Sequence, residues 1–326
     1  MLDPNLAFNP KHFIEKAIAK IRQTVGDKKV LCAFSGGVDS TVASVLTHIA
    51  VGDNLQCIFV DHGLLRKNET QSVLNAHLPV DLKISAIVAP ERFLPKLIGV
   101  TDPEQKRKIV GNEFIAVFEE KAQELGNFDF LLQGTIAPDV SESKTVKSHH
   151  NVGGLPENMH LQLLEPLRDL HKDQVRAVGE ALKISPKIVY RQPFPGPGLA
   201  IRCLGEVTPD KLAILREADA IVTNELDAYN SRIFTNTGRR DFPTSIWQYF
   251  AALSNSRAVG FANGTRTFGY IVYIRAVHSS DAIKADYALI TRDILSAMSK
   301  RITEVKGVTR VLYDITSKPP GTIEYE

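Results

Sequence analysis

The sequence has 326 residues, 44% apolar and 23% charged, with 39 Lys and Arg against 37 Asp and Glu for a formal net charge of +2. That is a globular composition with room for roughly two domains, large enough to need no disulfide or structural metal and too close to neutral for a general nucleic-acid binder. Three widely spaced cysteines in apolar settings (Cys32, Cys57, Cys203) exclude a disulfide scaffold or zinc ribbon, and the lack of a membrane-length apolar run or secretory h-region gives the expectation of a soluble, cytoplasmic protein without membrane contact.

Along the first half, short apolar runs alternate with amphipathic stretches. Phe13 to Val25 has helical spacing, and Val30 to Phe34 reads as a buried strand. A helix is predicted over 41–50, a strand over 55–60, a helix over 68–78 and a strand over 82–88. A long helix over 103–125 and a strand over 128–132 follow. Such alternation predicts a doubly wound, mostly parallel α/β sheet, with ligands at the carboxyl ends of its strands. The polar stretch 137–156 reads as a loop able to act as a lid. Arg191 to Leu199 holds three prolines and two glycines, which place a domain boundary near 192 and 193. Beyond it, a helix is predicted over 209–228, an irregular segment over 228–256 and a strand over 267–277. A long amphipathic helix over 281–305, a strand over 308–315 and a Pro-rich tail complete a smaller α/β domain.

One motif carries chemistry. Ser35-Gly36-Gly37-Val38-Asp39-Ser40-Thr41 joins the first strand to the next helix. Glycines allow a sharp turn, and backbone N–H groups at a helix N-terminus converge on an anion. A carboxylate beside that anion makes sense when Mg²⁺ bridges the two, which assigns the metal to Asp39. The motif lacks the Gly-Lys-Ser/Thr ending of a Walker A loop.

This loop resembles the pyrophosphate loop of the N-type ATP pyrophosphatases, which have an adenine nucleotide alpha hydrolase-like fold. Several further stretches narrow the resemblance: Phe59 to Arg66, Asp102 to Gly111, Gln133 to Ser143, Val146 to Pro156, Pro193 to Leu199, Leu204 to Glu206 and Lys318 to Glu326. Together they resemble the GMP synthetases, from about Lys11 to Glu326. The resemblance implies an ATP-dependent carbon–nitrogen ligase. The 2-oxygen of xanthosine monophosphate (XMP) attacks the α-phosphate of Mg-ATP, pyrophosphate leaves, and ammonia displaces AMP from adenyl-XMP to give GMP.

The resemblance also distributes roles. Ser35, Gly36, Gly37, Val38, Asp39, Ser40 and Thr41 fall to the ATP phosphates and Mg²⁺, and Val60, Asp61, Leu65 and Gly134 to the rest of ATP. Asp139 and Glu142 line the reaction site, and Lys147, in the lid, closes over the phosphates. Arg107, Lys318, Thr322, Ile323 and Glu324 take XMP. Domains 1–192 and 193–326 become an ATP-pyrophosphatase domain and a dimerisation and XMP-binding domain, giving a homodimer.

Two departures stand out. No cysteine sits in the Gly-x-Cys-x-Gly elbow of a glutamine amidotransferase, which gives the expectation of a separate amidotransferase subunit, as in the two-subunit archaeal arrangement. Asn263-Gly264-Thr265-Arg266 stands where many relatives read Gly-Asp-x-Arg. The competing readings are a tRNA-modifying ligase, disfavoured by charge and cysteine setting, and a nucleotide sensor, which would not need Asp39, Lys147 and the tail together.

Overall fold

A computed structural model describes residues 8–140, 161–237, 245–262, 264–279 and 282–326. The chain divides into two compact units. One comprises Met1–Asp61, Thr70–Ala89 and Gly111–Arg191; the other comprises His62–Glu69, Pro90–Val110 and Gln192–Glu326. The second unit thus takes in two short segments that a single cut near 192 would leave in the first.

The first unit is built on five parallel strands: β1 (Val30–Ala33), β2 (Leu55–Asp61), β3 (Ile84–Val88), β4 (Phe130–Leu132) and β5 (Gln162–Leu164). Their order is β3-β2-β1-β4-β5. The chain winds outward from β1 in one direction, then returns to β1's other side. That reversal makes the sheet doubly wound and puts its switch point between β1 and β4, where such sheets bind ligands. Val30 and Leu31 are fully buried, as expected of a strand covered on both faces. Helix α1 (Pro10–Val25) starts with Pro10, and the Asn9 side chain accepts from the Lys11 and His12 amides. Helix α2 (Val38–Val51) buries Val42, Ala43, Val45 and Leu46 completely. It is buried on nearly every side from Thr41 to Thr47, polar Ser44 and Thr47 included, because α1 and α5 (Lys172–Ala181) both pack against it. Helix α3 (Glu69–Leu74) is shorter than the predicted 68–78, and helix α4 covers Pro103–Leu125 as predicted. Asp102 stops the chain before α4 by accepting from the Gln105 amide at 2.8 Å.

The second unit carries a four-stranded sheet: β6 (Gln248–Ala262), β7 (Thr265–His278), β8 (Asp286–Tyr287) and β9 (Val308–Tyr313). Strands β6 and β7 form a long antiparallel hairpin, and β9 runs parallel to β7. Helices α6 (Pro209–Thr237) and α7 (Arg292–Thr303) pack with this sheet.

Two predictions fail here. Much of the segment 228–256, predicted irregular, is regular: α6 continues to Thr237 and β6 begins at Gln248, while 238–244 lie outside the described residues. The polar run after Ala228 is the exposed length of a helix, and buried Phe250, Ala251, Ala252 and Leu253 are core strand. The helix predicted over 281–305 is only Arg292–Thr303. Ala285 and Ala288 fitted its apolar period, but they are buried beside the β8 pairing with β7, and only Met298 and Ile302 of the helix are buried. The tail's Pro-rich start makes one two-way backbone pairing, Lys318 with Ala285. The three cysteines are free and buried. Among the described residues no helix is long and apolar enough to cross a membrane.

Candidate active site

At the switch point of the first unit, β1 runs into the Gly-rich turn. Gly36 has φ +70°, and a Cβ there would stand 2.7 Å from the Val73 side chain. Positive φ and lack of space together require glycine. Gly37 precedes α2 in extended conformation, so Val38, Asp39, Ser40 and Thr41 form the helix's first turn. The turn is braced from within. Ser35 Oγ lies 2.9 Å from Ser40 Oγ and accepts from the Gly37 amide at 3.3 Å, and Ser40 Oγ donates to the Gly37 carbonyl at 3.1 Å. Arg191 donates to the Gly36 carbonyl at 3.2 Å.

The charge arrangement is asymmetric. Asp39 Oδ2 accepts from Lys172 Nζ at 2.5 Å. Its other oxygen, Oδ1, and the Thr41 hydroxyl are buried with no hydrogen-bond partner. Buried polar atoms without a partner are costly in a folded protein, so each of these two is open to a further bond. A carboxylate and a hydroxyl beside a helix N-terminus are hard oxygen donors, and they fit a phosphate-bound Mg²⁺. Arg176 lies one helical turn beyond Lys172, with its Nε buried and unpaired. Burial pushes its pKa down, against the charges of Tyr190 and Asp39. Among the described residues no three His, Cys, Asp or Glu side chains gather into an all-protein metal cluster.

Gly134 follows β4, and a Cβ there would stand 2.9 Å from backbone atoms of Asp39 and Ser40. Gly134→Ala must therefore displace the first turn of α2. The expected cost is about 1–3 kcal/mol, read as a lower melting temperature, and an unchanged melt would contradict this packing.

The other predicted residues are distributed unevenly. Val60 is buried at the end of β2. Asp61 Oδ2 accepts from Thr70 Oγ1 at 2.5 Å and its carbonyl from the Ala89 amide, so it organises its own turn. Asp139 Oδ2 likewise accepts from the Ile136 amide at 2.9 Å. Leu65 belongs to the second unit. Glu142, Lys147 and all of the predicted lid beyond residue 140 lie outside the described residues, as does Asn263. Lys172, Arg176 and Arg191 escaped the sequence reading, because their tie to the loop is long-range and no local pattern announces it.

Within the second unit, Arg107 and the tail come together. Arg107 Nη2 donates to the Glu326 carbonyl at 2.5 Å. The Ile323 side chain is a core anchor among Phe250, Ala252, Val277 and Ala285. Glu324 is gripped by Arg202, through Nε at 3.0 Å and Nη2 at 2.8 Å, and by Gln248 Nε2 at 2.8 Å. Oε1 takes two of these bonds, so a lone pair of Oε2 remains for a ligand N–H. Thr322 Oγ1 donates to the Glu324 carbonyl. Lys318 stands apart on the tail, its Nζ on the Ala282 carbonyl at 2.8 Å. Tyr325 stacks on Tyr273 and donates to Asp314 at 2.9 Å. Burial and then that carboxylate push its pKa up.

Residues 236–325 match the GMP synthase C terminal domain family. Over 321 residues, 96% of the chain, the sequence is 55% identical to a GMP synthase [glutamine-hydrolyzing] of Clostridium botulinum. It is 56% identical to that of Clostridium tetani. Solved structures with similarity include an NMN synthetase from Francisella tularensis (TM-score 0.45, 18% identity, 59% of this chain and 78% of that one). An NH3-dependent NAD synthetase from Campylobacter jejuni is similar at TM-score 0.44 and 13% identity, over 71% of this chain and 88% of that one. The chain is thus similar over 96% of its own length to curated GMP synthases, and it spans 61% of the length of those relatives.

Proposed function

We propose that these residues form the ATP-pyrophosphatase part of a GMP synthase, an ATP-dependent ligase that turns XMP, ammonia and ATP into GMP, AMP and pyrophosphate. The observation that carries this reading is the first turn of α2, where Asp39 Oδ1 and Thr41 Oγ1 are buried and unpaired behind a Gly-rich turn. Backbone amides of Gly36 to Ser40 hold the β- and γ-phosphates. Mg²⁺, when bound, neutralises phosphate charge; Asp39 supplies its carboxylate, and Lys172 and Arg176 supply further positive charge to the departing pyrophosphate. Val60, Asp61 and Gly134 border the rest of ATP. Arg107 and Lys318 take the XMP phosphate; Thr322, Ile323 and Glu324 take its base end, Ile323 through its main chain. The 2-oxygen of XMP attacks the α-phosphate, because an amide-type oxygen leaves poorly until it is adenylated. Adenyl-XMP then loses AMP to ammonia. Asp139, Glu142 and Lys147 act around this step, the last from the lid. Positioning and charge neutralisation supply the catalysis.

No glutamine-hydrolysing elbow lies within these 326 residues, and the ammonia they use is proposed to come from a glutamine amidotransferase subunit. The enzyme works in the cytoplasm as a homodimer. Support for the second copy comes from the β6–β7 hairpin, which exposes Val259, Phe261 and Phe268 by 54%, 74% and 63%. Val259 and Phe268 are register partners, so they share a face, an apolar patch suited to a partner.

The test is pyrophosphate release from Mg-ATP with ammonium chloride near pH 8.5, with and without XMP. Release that requires XMP and yields GMP is expected, with glutamine unable to replace ammonium. Release indifferent to XMP would refute the reading.

A further inference from the structure

Lys106 is fully buried in the second unit, beside Arg107 at the start of α4. A buried ammonium needs partners for all three protons. Its Nζ donates to the Ala200 carbonyl at 3.1 Å, to the Cys203 carbonyl at 2.8 Å and to Glu326 Oε2. Every proton is used, so Lys106 has none left for a ligand and acts only through what it holds. Glu326 is held just as completely. Its Oε1 accepts from the Gly205 amide at 2.9 Å, and its carbonyl accepts from Arg107. Adjacent residues of one helix turn therefore grip a single residue from both ends, and the carboxylate side chain of Glu326 is only 8% exposed. Two residues earlier in the chain, Glu324 is fixed by Arg202 and Gln248.

We infer that Lys106 and Glu326 form a buried latch that fixes the tail against the start of α4, making Glu326 a positioning residue for the nucleoside monophosphate acceptor. This rests on the proposed acceptor site, in which Arg107 and Glu324 touch the monophosphate and the base. The latch holds these two groups at a fixed spacing before the acceptor arrives, so the acceptor spends no binding energy on ordering the tail. Lys106 is the anchor and Arg107 the working cation. Arg suits bidentate phosphate binding, whereas a point charge with three protons suits the buried role. A carboxylate is required on the tail because a buried cation facing only carbonyls would lack a countercharge.

The experiment measures the ammonium-dependent reaction of the full chain as wild type, Glu326→Gln and Glu326→Asp. Glu326→Gln keeps the shape and loses the charge. Its KM for XMP is expected to rise about 10–100-fold, the penalty typical of a misplaced binding group, with KM for ATP unchanged within about twofold. Glu326→Asp keeps the charge on a side chain one methylene shorter, and a rise of roughly tenfold in KM for XMP is expected. It also covers the case in which Glu326→Gln does not fold. A role confined to stability would lower the melting temperature and leave both KM values alone, which overturns the latch, as does a KM for XMP within twofold of wild type in either folded variant. A wild-type chain that makes no GMP overturns the acceptor reading and the latch with it.

Discussion

Asp39→Ala is expected to abolish XMP-dependent pyrophosphate release, by about a thousandfold or more, while leaving the fold nearly untouched. The two halves of this expectation have separate causes. The Asp39 side chain is 27% exposed and its partner Lys172 44% exposed, so their ion pair adds at most about 1 kcal/mol to stability. The loss of activity has a different origin. Asp39 is the only acid in the first turn of α2, and its Oδ1 is already stripped of solvent and unpaired. The cost of desolvating that oxygen was met in folding, so it gives its full electrostatic effect when a divalent cation arrives with the nucleotide. Alanine removes that oxygen and leaves Lys172 unneutralised. Asp39→Asn separates charge from shape: it keeps the side-chain volume, weakens the metal ligand, and should be almost as inactive. The measurement is pyrophosphate release beside a thermal melt. A loss below about tenfold with a normal melt would remove Asp39 from the site.

How much of this could be read beforehand follows from the range of each signal. The β1–loop–α2 unit was legible, because strand, glycines and helix start lie within consecutive residues. Helix α4 was legible at both ends, because Asp102 and Pro103 set its start locally. The end of α6 was not, because an exposed helix with a polar surface looks like a loop to a reading that relies on apolar period. Strand β5 was missed because three residues give no usable pattern. The partners of the site residues were least accessible. Asp39 and Lys172 are 133 positions apart, and Lys106 and Glu326 are 220 apart. Such pairs exist only through the fold. The resemblance could name Glu324, but nothing local could name the Arg202 that holds it.

Arg202 is the residue whose loss should cost the most stability. It is fully buried, stacks over Phe250 at 4.0 Å and Phe194 at 5.2 Å, and faces two carboxylates, Glu324 at 2.8 Å and Asp219 at 3.9 Å. Burial alone would lower its pKa, but the charge and hydrogen bonds of Glu324, then the charge of Asp219, carry the net shift upward. Arg202→Ala leaves Glu324 without its main partner and opens a cavity between two aromatic rings. The expected destabilisation is about 3–5 kcal/mol, a fall of roughly 10 °C in melting temperature for a chain of this size. Arg202→Lys should recover little, because an ammonium can neither bond Glu324 through two nitrogens nor stack flat on the rings. Asp219 keeps Arg66, at 3.0 Å, so its charge is not stranded. The informative variant is the double replacement of Arg202 and Glu324 by methionine. Swapping a buried ion pair for apolar side chains of similar volume is often neutral in stability, so the melt should recover most of the loss. GMP formation should not recover, because no carboxylate remains to meet the base. A double variant that regained both would mean that Glu324 contributes to packing and not to recognition of the acceptor.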